Sequence, residues 1–265
     1  MIYFNYTPTE VDSFPIVLFN NKVVGATITA TSENLPDGAK ENVATTSTYD
    51  FWQSGASTAT ITFDLAAASD VDTVSLVAHN LGSKSATVTI ESSPDNTTWT
   101  QEVQEEPDDN STITFFIEKK SRRYWRIVVV ASDVFSIGNI LLGEKLVFPA
   151  GVRPPYTPTN MAENVELLVS ETLEGQFITN RPLRYGLDTQ VNLNAVEFGF
   201  VEDNLKDFRR HFNDGKPFIW ASSPKFLDED TAYVWRRFDG GELRPTFDAN
   251  GNFMNLTMDL MGYRG

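Results

Sequence analysis

The chain has 265 residues and a hydrophobic content of 41%, enough for one large β domain or two ordinary ones. Its net charge of −15, from 36 acidic and 21 basic residues, argues against a nucleic-acid binder, which needs a basic face to track phosphates. Without cysteine there is no disulfide or thiolate chemistry, no run approaches the roughly 20 apolar residues of a membrane helix, and the opening MIYFNYTPTEVDSFP lacks the basic and apolar regions of a secretory signal; we expect cytosolic synthesis and no membrane insertion.

Residues 1–24 hold Pro8, Pro15 and the apolar run Ile16–Phe19, and read as an N-terminal arm or an edge strand. Ala26–Ser32 alternates polar and apolar residues, and the loop-rich stretch Glu33–Ser57 follows. Thr58–Thr100 then alternates three times: Ala59, Ile61, Phe63 and Leu65; Val74, Leu76 and Ala78; Ala86, Val88 and Ile90. A period of two places these side chains on one face of a strand. Turn residues separate the segments, among them Asn80-Leu81-Gly82 and Ser93-Pro94-Asp95-Asn96. Trp99 is expected over the sheet as a core anchor. Glu102–Asn110, with five acids in nine residues, reads as an exposed acidic loop. Tyr124–Val130 carries bulky residues on both sides and reads as a central strand. Several short strands with this spacing predict a β-sandwich.

In order, ATITATSEN, STYDFWQS, ATITFDL, VDTVSLVAHNLG, ATVTIESSPDNTTWT, RRYWRIVV and SIGNILLGE resemble the discoidin, or coagulation-factor C-type, jelly roll, which is similar to many carbohydrate-binding modules. The likeness spans roughly residues 24–146. It implies a jelly-roll domain over 25–148 with ligands held at loops on one end or on an exposed sheet face. The candidate glycan-binding residues are then Tyr49, Trp52, His79 and Asn80. Trp52 has a second reading as a plug under the sandwich, and His79 as a satisfied loop residue. The family's acidic calcium turn is replaced here by Ala44-Thr45-Thr46-Ser47. No cofactor is expected, with calcium on Asn34, Asp37 and Glu144 as the remaining metal reading.

Prolines at 149, 154, 155 and 158 mark residues 149–160 as a linker, or a strap over a surface. Charge divides at the same place: residues 1–148 carry 9 basic and 19 acidic residues, residues 149–265 carry 12 and 17. Beyond it, Val165–Thr179 and Gln190–Phe200 read as strands. Val201, Leu205, Phe208 and Phe212 recur at helical spacing, closed by Asn213-Asp214-Gly215. Short strands follow at Pro217–Trp220, Tyr233–Phe238 and Leu243–Phe247, and Met254, Leu256, Met258 and Leu260 alternate in the last one. The fold class is therefore mainly β: a jelly-roll sandwich, then a β-sandwich or barrel with one helix over 161–265.

This second layout, with its helix ending in HFNDGKPFIW, resembles the ring-forming domain of bacteriophage tail-tube and distal-tail proteins. The resemblance implies a structural component of a phage tail tip or baseplate, assembled in the host cytoplasm and resident in the virion tail. The implied partners are copies of itself in a ring, a hexamer by analogy, other tail or baseplate proteins, and a host cell-surface glycan. Candidates for assembly are Pro154, Pro155 and Tyr156 in the strap and the hairpin arms of Val165–Thr179. The alternative is a carbohydrate-binding module without an assembly role. No enzyme is expected. The two histidines, His79 and His211, fall one in each unit, and no GxSxG, HExxH or phosphate-binding glycine loop occurs.

Overall fold

The computed structural model describes residues 1–249 and 251–263. In chain order the strands are β1 (Ile2–Phe4), β2 (Ile16–Leu18), β3 (Thr27–Ala30), β4 (Trp52–Gln53), β5 (Thr58–His79), β6 (Thr87–Ser93), β7 (Thr100–Glu105), β8 (Ile113–Val130), β9 (Ser136–Gly143) and β10 (Leu146–Val147), then β11 (Glu163–Glu171), β12 (Phe177–Glu197), β13 (Phe218–Ala221), β14 (Thr231–Arg236), β15 (Thr246–Phe247) and β16 (Phe253–Gly262). Two short helices, α1 (Phe198–Asp203) and α2 (Leu205–Asn213), follow β12.

The first sheet is folded over on itself by its two long strands. Thr58–Asp64 of β5 pairs with the Tyr124–Val130 half of β8; the register then shifts, and Ser69–Leu76 pairs with the Ile113–Arg122 half. Ala66 sits at the shift with φ +64°, a left-handed conformation that re-aims the strand. β6 joins only the second half of β8, and β9 joins only the second half of β5. The result is two layers, β3-β5-β8-β6-β7 and β4-β9-β5-β8-β1, as in a jelly roll. The alternating residues meet between them: Ile61, Phe63, Val88, Ile90, Trp125 and Ile127 from one layer, Val74, Leu76, Ile113, Phe115, Ile137 and Ile140 from the other. Trp99 departs from expectation. It is half-buried outside this core, covering the Arg126 guanidinium with 4.2 Å to its ring centre.

The second sheet runs β10-β2-β13-β14-β16-β12-β11 and is antiparallel throughout, with β15 added beside β16. The predicted helical stripe holds. Leu205, Phe208 and Phe212 are fully buried on one face of this sheet, with Phe208 5.0 Å from Phe218 and 5.4 Å from Phe19. The helix breaks at Asn204, so Val201 lies on α1 and only partly covers the core. The residues 149–160 are a strap fastened to the same core. Arg153 donates its N–H to Asn192 O at 2.8 Å, and Ala150, Val152 and Tyr156 pack on the sheet.

The other face of the second sheet lies against the jelly roll. Leu18, Ile219 and Tyr233 meet Val77 and Leu141, and Ile16 and Ala221 meet Ile2 and Phe116. A hydroxyl chain crosses the seam, Ser75 to Thr114 at 3.0 Å and Thr114 to Thr231 at 2.9 Å. The N-terminal segment is divided between the two bodies. β1 lies parallel beside β8, whereas β2 inserts between β10 and β13. Residues 1–24 thus supply a strand to each sheet, and the second sheet is incomplete without β2 and β10.

Candidate functional site

The jelly-roll candidates do not converge on one surface. Trp52 is completely buried. Its indole N–H donates to Ser32 O at 3.0 Å and its ring stands edge-on to Phe135 at 5.4 Å, so it plugs the sandwich and is withdrawn as a glycan contact. His79 is buried at the end of β5, where its Nδ1 accepts the Leu81 N–H at 3.4 Å and its Nε2 has no hydrogen-bond partner among the described residues. Burial lowers its pKa to about 4, so the ring is neutral near pH 7, and at 5% exposure it is closed to a ligand from solvent. Asn80 accepts the Ser136 N–H on its Oδ1 at 2.8 Å, which fixes the turn. Tyr49 alone of the four stands free, 89% exposed.

The metal set is also separated. Asn34 is held at Gln53, whose strand neighbour is Ser136 at the start of β9; Glu144 follows Gly143 at the other end. Eight residues of extended chain put these positions about 25 Å apart. Glu144 is neutralised instead by Lys119 at 2.7 Å and Lys22 at 3.4 Å, and the bond to Lys119 holds its carboxyl below the usual range. Among the described residues no three His, Asp or Glu side chains converge on a point.

In the strap, Tyr156 is occupied internally. Its hydroxyl donates to Asp230 at 2.9 Å and accepts the Trp220 indole N–H at 3.0 Å. Asp230 is buried and also receives Thr159 N–H and Oγ1, both at 2.6 Å, and the Ser222 hydroxyl. A carboxylate removed from water is tolerated when several donors surround it. This cluster fastens residues 156–159 to β13 and β14, so Tyr156 is corrected from an assembly contact to a structural one. Pro154 and Pro155 remain exposed.

Two surfaces have unspent capacity. The first is the outer face of the β3-β5-β8-β6-β7 layer. Register places Thr62, Arg126 and Glu91 in one row, and Asp64, Tyr124 and Ser93 in the next. Arg126 is paired with Glu91 and covered by Trp99; Arg123 binds Asp64 through two bonds at 2.7 and 2.8 Å and lies over the Tyr124 ring. The face is polar and carries threonine hydroxyls, with two aromatic rings held in place by arginines.

The second surface is the β11–β12 hairpin. At Leu187, β12 changes partner: from there onward it lies beside β16, and before it, among the described residues, beside β11 alone. Residues 163–186 therefore leave the sheet as a two-stranded arm. Leu167, Leu168 and Val169 on β11, Leu173 in the turn, and Phe177, Ile178, Leu183 and Tyr185 on β12 are all 48% exposed or more. Consecutive residues of a strand point to opposite faces, so both faces of the arm are apolar. The outer edge of β11 is the open end of the sheet. The sequence offered Val165–Thr179 as hairpin arms for assembly, although an apolar run reads the same whether core or partner covers it.

Residues 67–136 match a family described as a domain of unknown function, DUF6385. No curated protein matches the chain. Among solved structures, the chain is similar to chitosan-binding module 1 of a chitosanase/glucanase from Paenibacillus sp. IK-5, at 19% identity and TM-score 0.43 over 47% of this chain and 99% of that one. A CBM32 module from Clostridium perfringens, solved with GalNAc-β-1,3-galactose, gives 15% identity and TM-score 0.42 over 47% and 100%. Chitosan-binding module 2 of the same Paenibacillus enzyme, in complex with chitotriose, gives 15% and 0.42 over 47% and 100%.

Proposed function

We propose that this protein is a structural subunit of a phage tail tip or baseplate, assembling into a ring through its second unit and displaying the jelly roll outward toward a host-surface carbohydrate. The observation that carries the assembly half is the arm of residues 163–186. A hairpin of two strands is marginal in water on its own, and one with apolar residues on both faces and an open edge is a hazard unless a partner covers it. The tail context rests on the layout of the second unit, in which an antiparallel sheet carries its helices on one face, as the resemblance to distal-tail proteins implies.

The display half is supported by what the jelly roll leaves free. Its layer β4-β9-β5-β8-β1 is taken up by the second unit, and the opposite layer, with Trp99, Tyr124 and its threonine hydroxyls, faces away. Aromatic rings suit the apolar faces of sugar rings, and hydroxyls and charged groups suit their edges. Sedimentation of the purified full chain tests the assembly: a discrete closed oligomer is expected, six copies by the resemblance. A monomer at every accessible concentration overturns it and favours a carbohydrate-binding protein without an assembly role.

A further inference from the structure

The arm has a counterpart at the opposite end of its own strand. β12 runs 20 residue steps from Phe177 to Glu197, which places its ends about 60 Å apart. Immediately after Glu197, Phe198 opens α1 and stacks on Phe247 of β15, centroids 5.8 Å apart and planes at 17°. Phe253, paired with Glu197, lies at the same end of the strand. All three rings are at least 40% exposed at this end of the sheet. A chain cannot bend its arm across that distance onto its own patch, but a second copy in line with the first brings the two together.

Charge fixes the orientation. The arm's acids, Glu163, Glu166, Glu171 and Glu174, lie on β11 and the turn; its two cations, Arg181 and Arg184, lie on β12. The patch end carries Glu197, Glu202 and Asp203, all exposed. Arg181 has no ion-pair partner among the described residues, and neither do Glu202 and Asp203. The β12 side of an arm therefore suits the patch end, and its β11 side is repelled from it. A ribbon about 30 Å long and 10 Å wide presents roughly 300 Å² per face. One such face is less than the roughly 800 Å² per partner of a stable interface, so the open edge and the second face are left for other contacts of the ring.

We infer that the arm of one copy docks on the end of the next that carries Phe198, Phe247 and Phe253, with Arg181 against Glu197, Glu202 and Asp203; Arg184 is paired within the arm to Glu166 at 3.4 Å. The contact is head-to-tail, so it generates a ring if the rotation closes. This rests on the self-association proposed above and names the surfaces that make it. The test uses the full chain, with the association constant read by sedimentation and folding checked by thermal unfolding. Arg181→Glu, and separately Glu202→Arg with Asp203→Arg, should each weaken association by about tenfold or more, and the three together should restore it to within about threefold. Neutral versions, Arg181→Gln and Glu202→Gln with Asp203→Asn, serve where a reversal unfolds the chain and should weaken association less. If the wild type assembles and the reversals leave it unchanged, or if the triple variant is no better than either reversal by itself, this contact is wrong and self-association stands by another route. If the wild type never assembles, both readings fall.

Discussion

In residues 1–148 only Val11, Val24, Leu35, Tyr49, Val130 and Val134 stand out among large apolar side chains as exposed; among the described residues of 149–263 there are fifteen, eight of them on the arm. The first unit closes its sheet into two layers around one core. The second leaves its sheet open, with helices and strap on one face, the jelly roll on the other, and β11 free at its edge. The jelly roll has finished burying its apolar surface within the chain, whereas the second unit has apolar surface still to cover. That difference places the chain's unmet contacts on the arm and on the Phe198 end, and leaves the jelly roll to offer polar faces and loops. Within the second unit the same contrast recurs: Phe208 and Phe177 are both phenylalanines, one enclosed by rings and the other by water.

The largest expected effect breaks that contrast at its buried end. Phe208→Ala removes a ring packed against Phe19, Phe148, Phe212 and Phe218 and should cost about 3–5 kcal/mol of stability, read by denaturant unfolding. A loss below about 1 kcal/mol would mean that α2 does not seal the second core.

The strap comes next. Asp230→Ala strips one carboxylate from Tyr156, both donors of Thr159, and Ser222, leaving buried donors unpaired at a cost of about 3 kcal/mol. Protease cutting within 149–160 should accelerate in that variant. An unchanged cutting rate would show that the strap is fastened by its apolar contacts alone.

On the jelly-roll side the sharpest handle is His79. Its folded pKa, lowered by burial from 6.5 to about 4, lies below the unfolded value. The unfolded chain therefore takes up the proton first. Stability is full above pH 6.5, declines by about 2–3 kcal/mol as pH falls toward 4, and levels off below. Replacing His79 by Gln should flatten that slope in urea titrations at stepped pH. A slope that survives the replacement belongs to other groups.

Much of the jelly roll was legible because its strands are half-buried: Ala59, Ile61 and Phe63 alternate with threonines, and alternation reports the face. The α2 stripe was legible for the same reason at a period of 3.6. What stayed hidden depends on contacts distant in sequence. Ile16–Leu18 is a three-residue strand within the apolar run Ile16–Phe19, and nothing local says that it pairs with β13 some 200 residues later. Asp230 ends an Asp-Glu-Asp run that reads as a solvated turn, yet it is the buried anchor of the strap. Trp52 and His79 have the residue types of a sugar site, and residue type does not report burial. Glu144 looked like an oxygen ligand until strand length put it about 25 Å from Asn34.

The smallest effect on stability is the most informative for the comparison. Leu168→Ser and Phe177→Ser each remove an apolar side chain that is more than half exposed in the single chain. Surface substitutions of this kind stay within about 0.5 kcal/mol, so unfolding of the dilute protein should be unchanged. Association should fall at the same time, because a side chain that contributes nothing in the monomer contributes its burial when a second copy covers it. Serine at the equivalent exposed site of the first unit, Val130→Ser on β8, should alter neither quantity. The three variants measured together separate the two regions. If Leu168→Ser and Phe177→Ser destabilise the dilute monomer, the arm is part of the chain's own core. If they leave both stability and association untouched while Val130→Ser weakens association, the jelly roll carries the contact and the roles of the two units are exchanged.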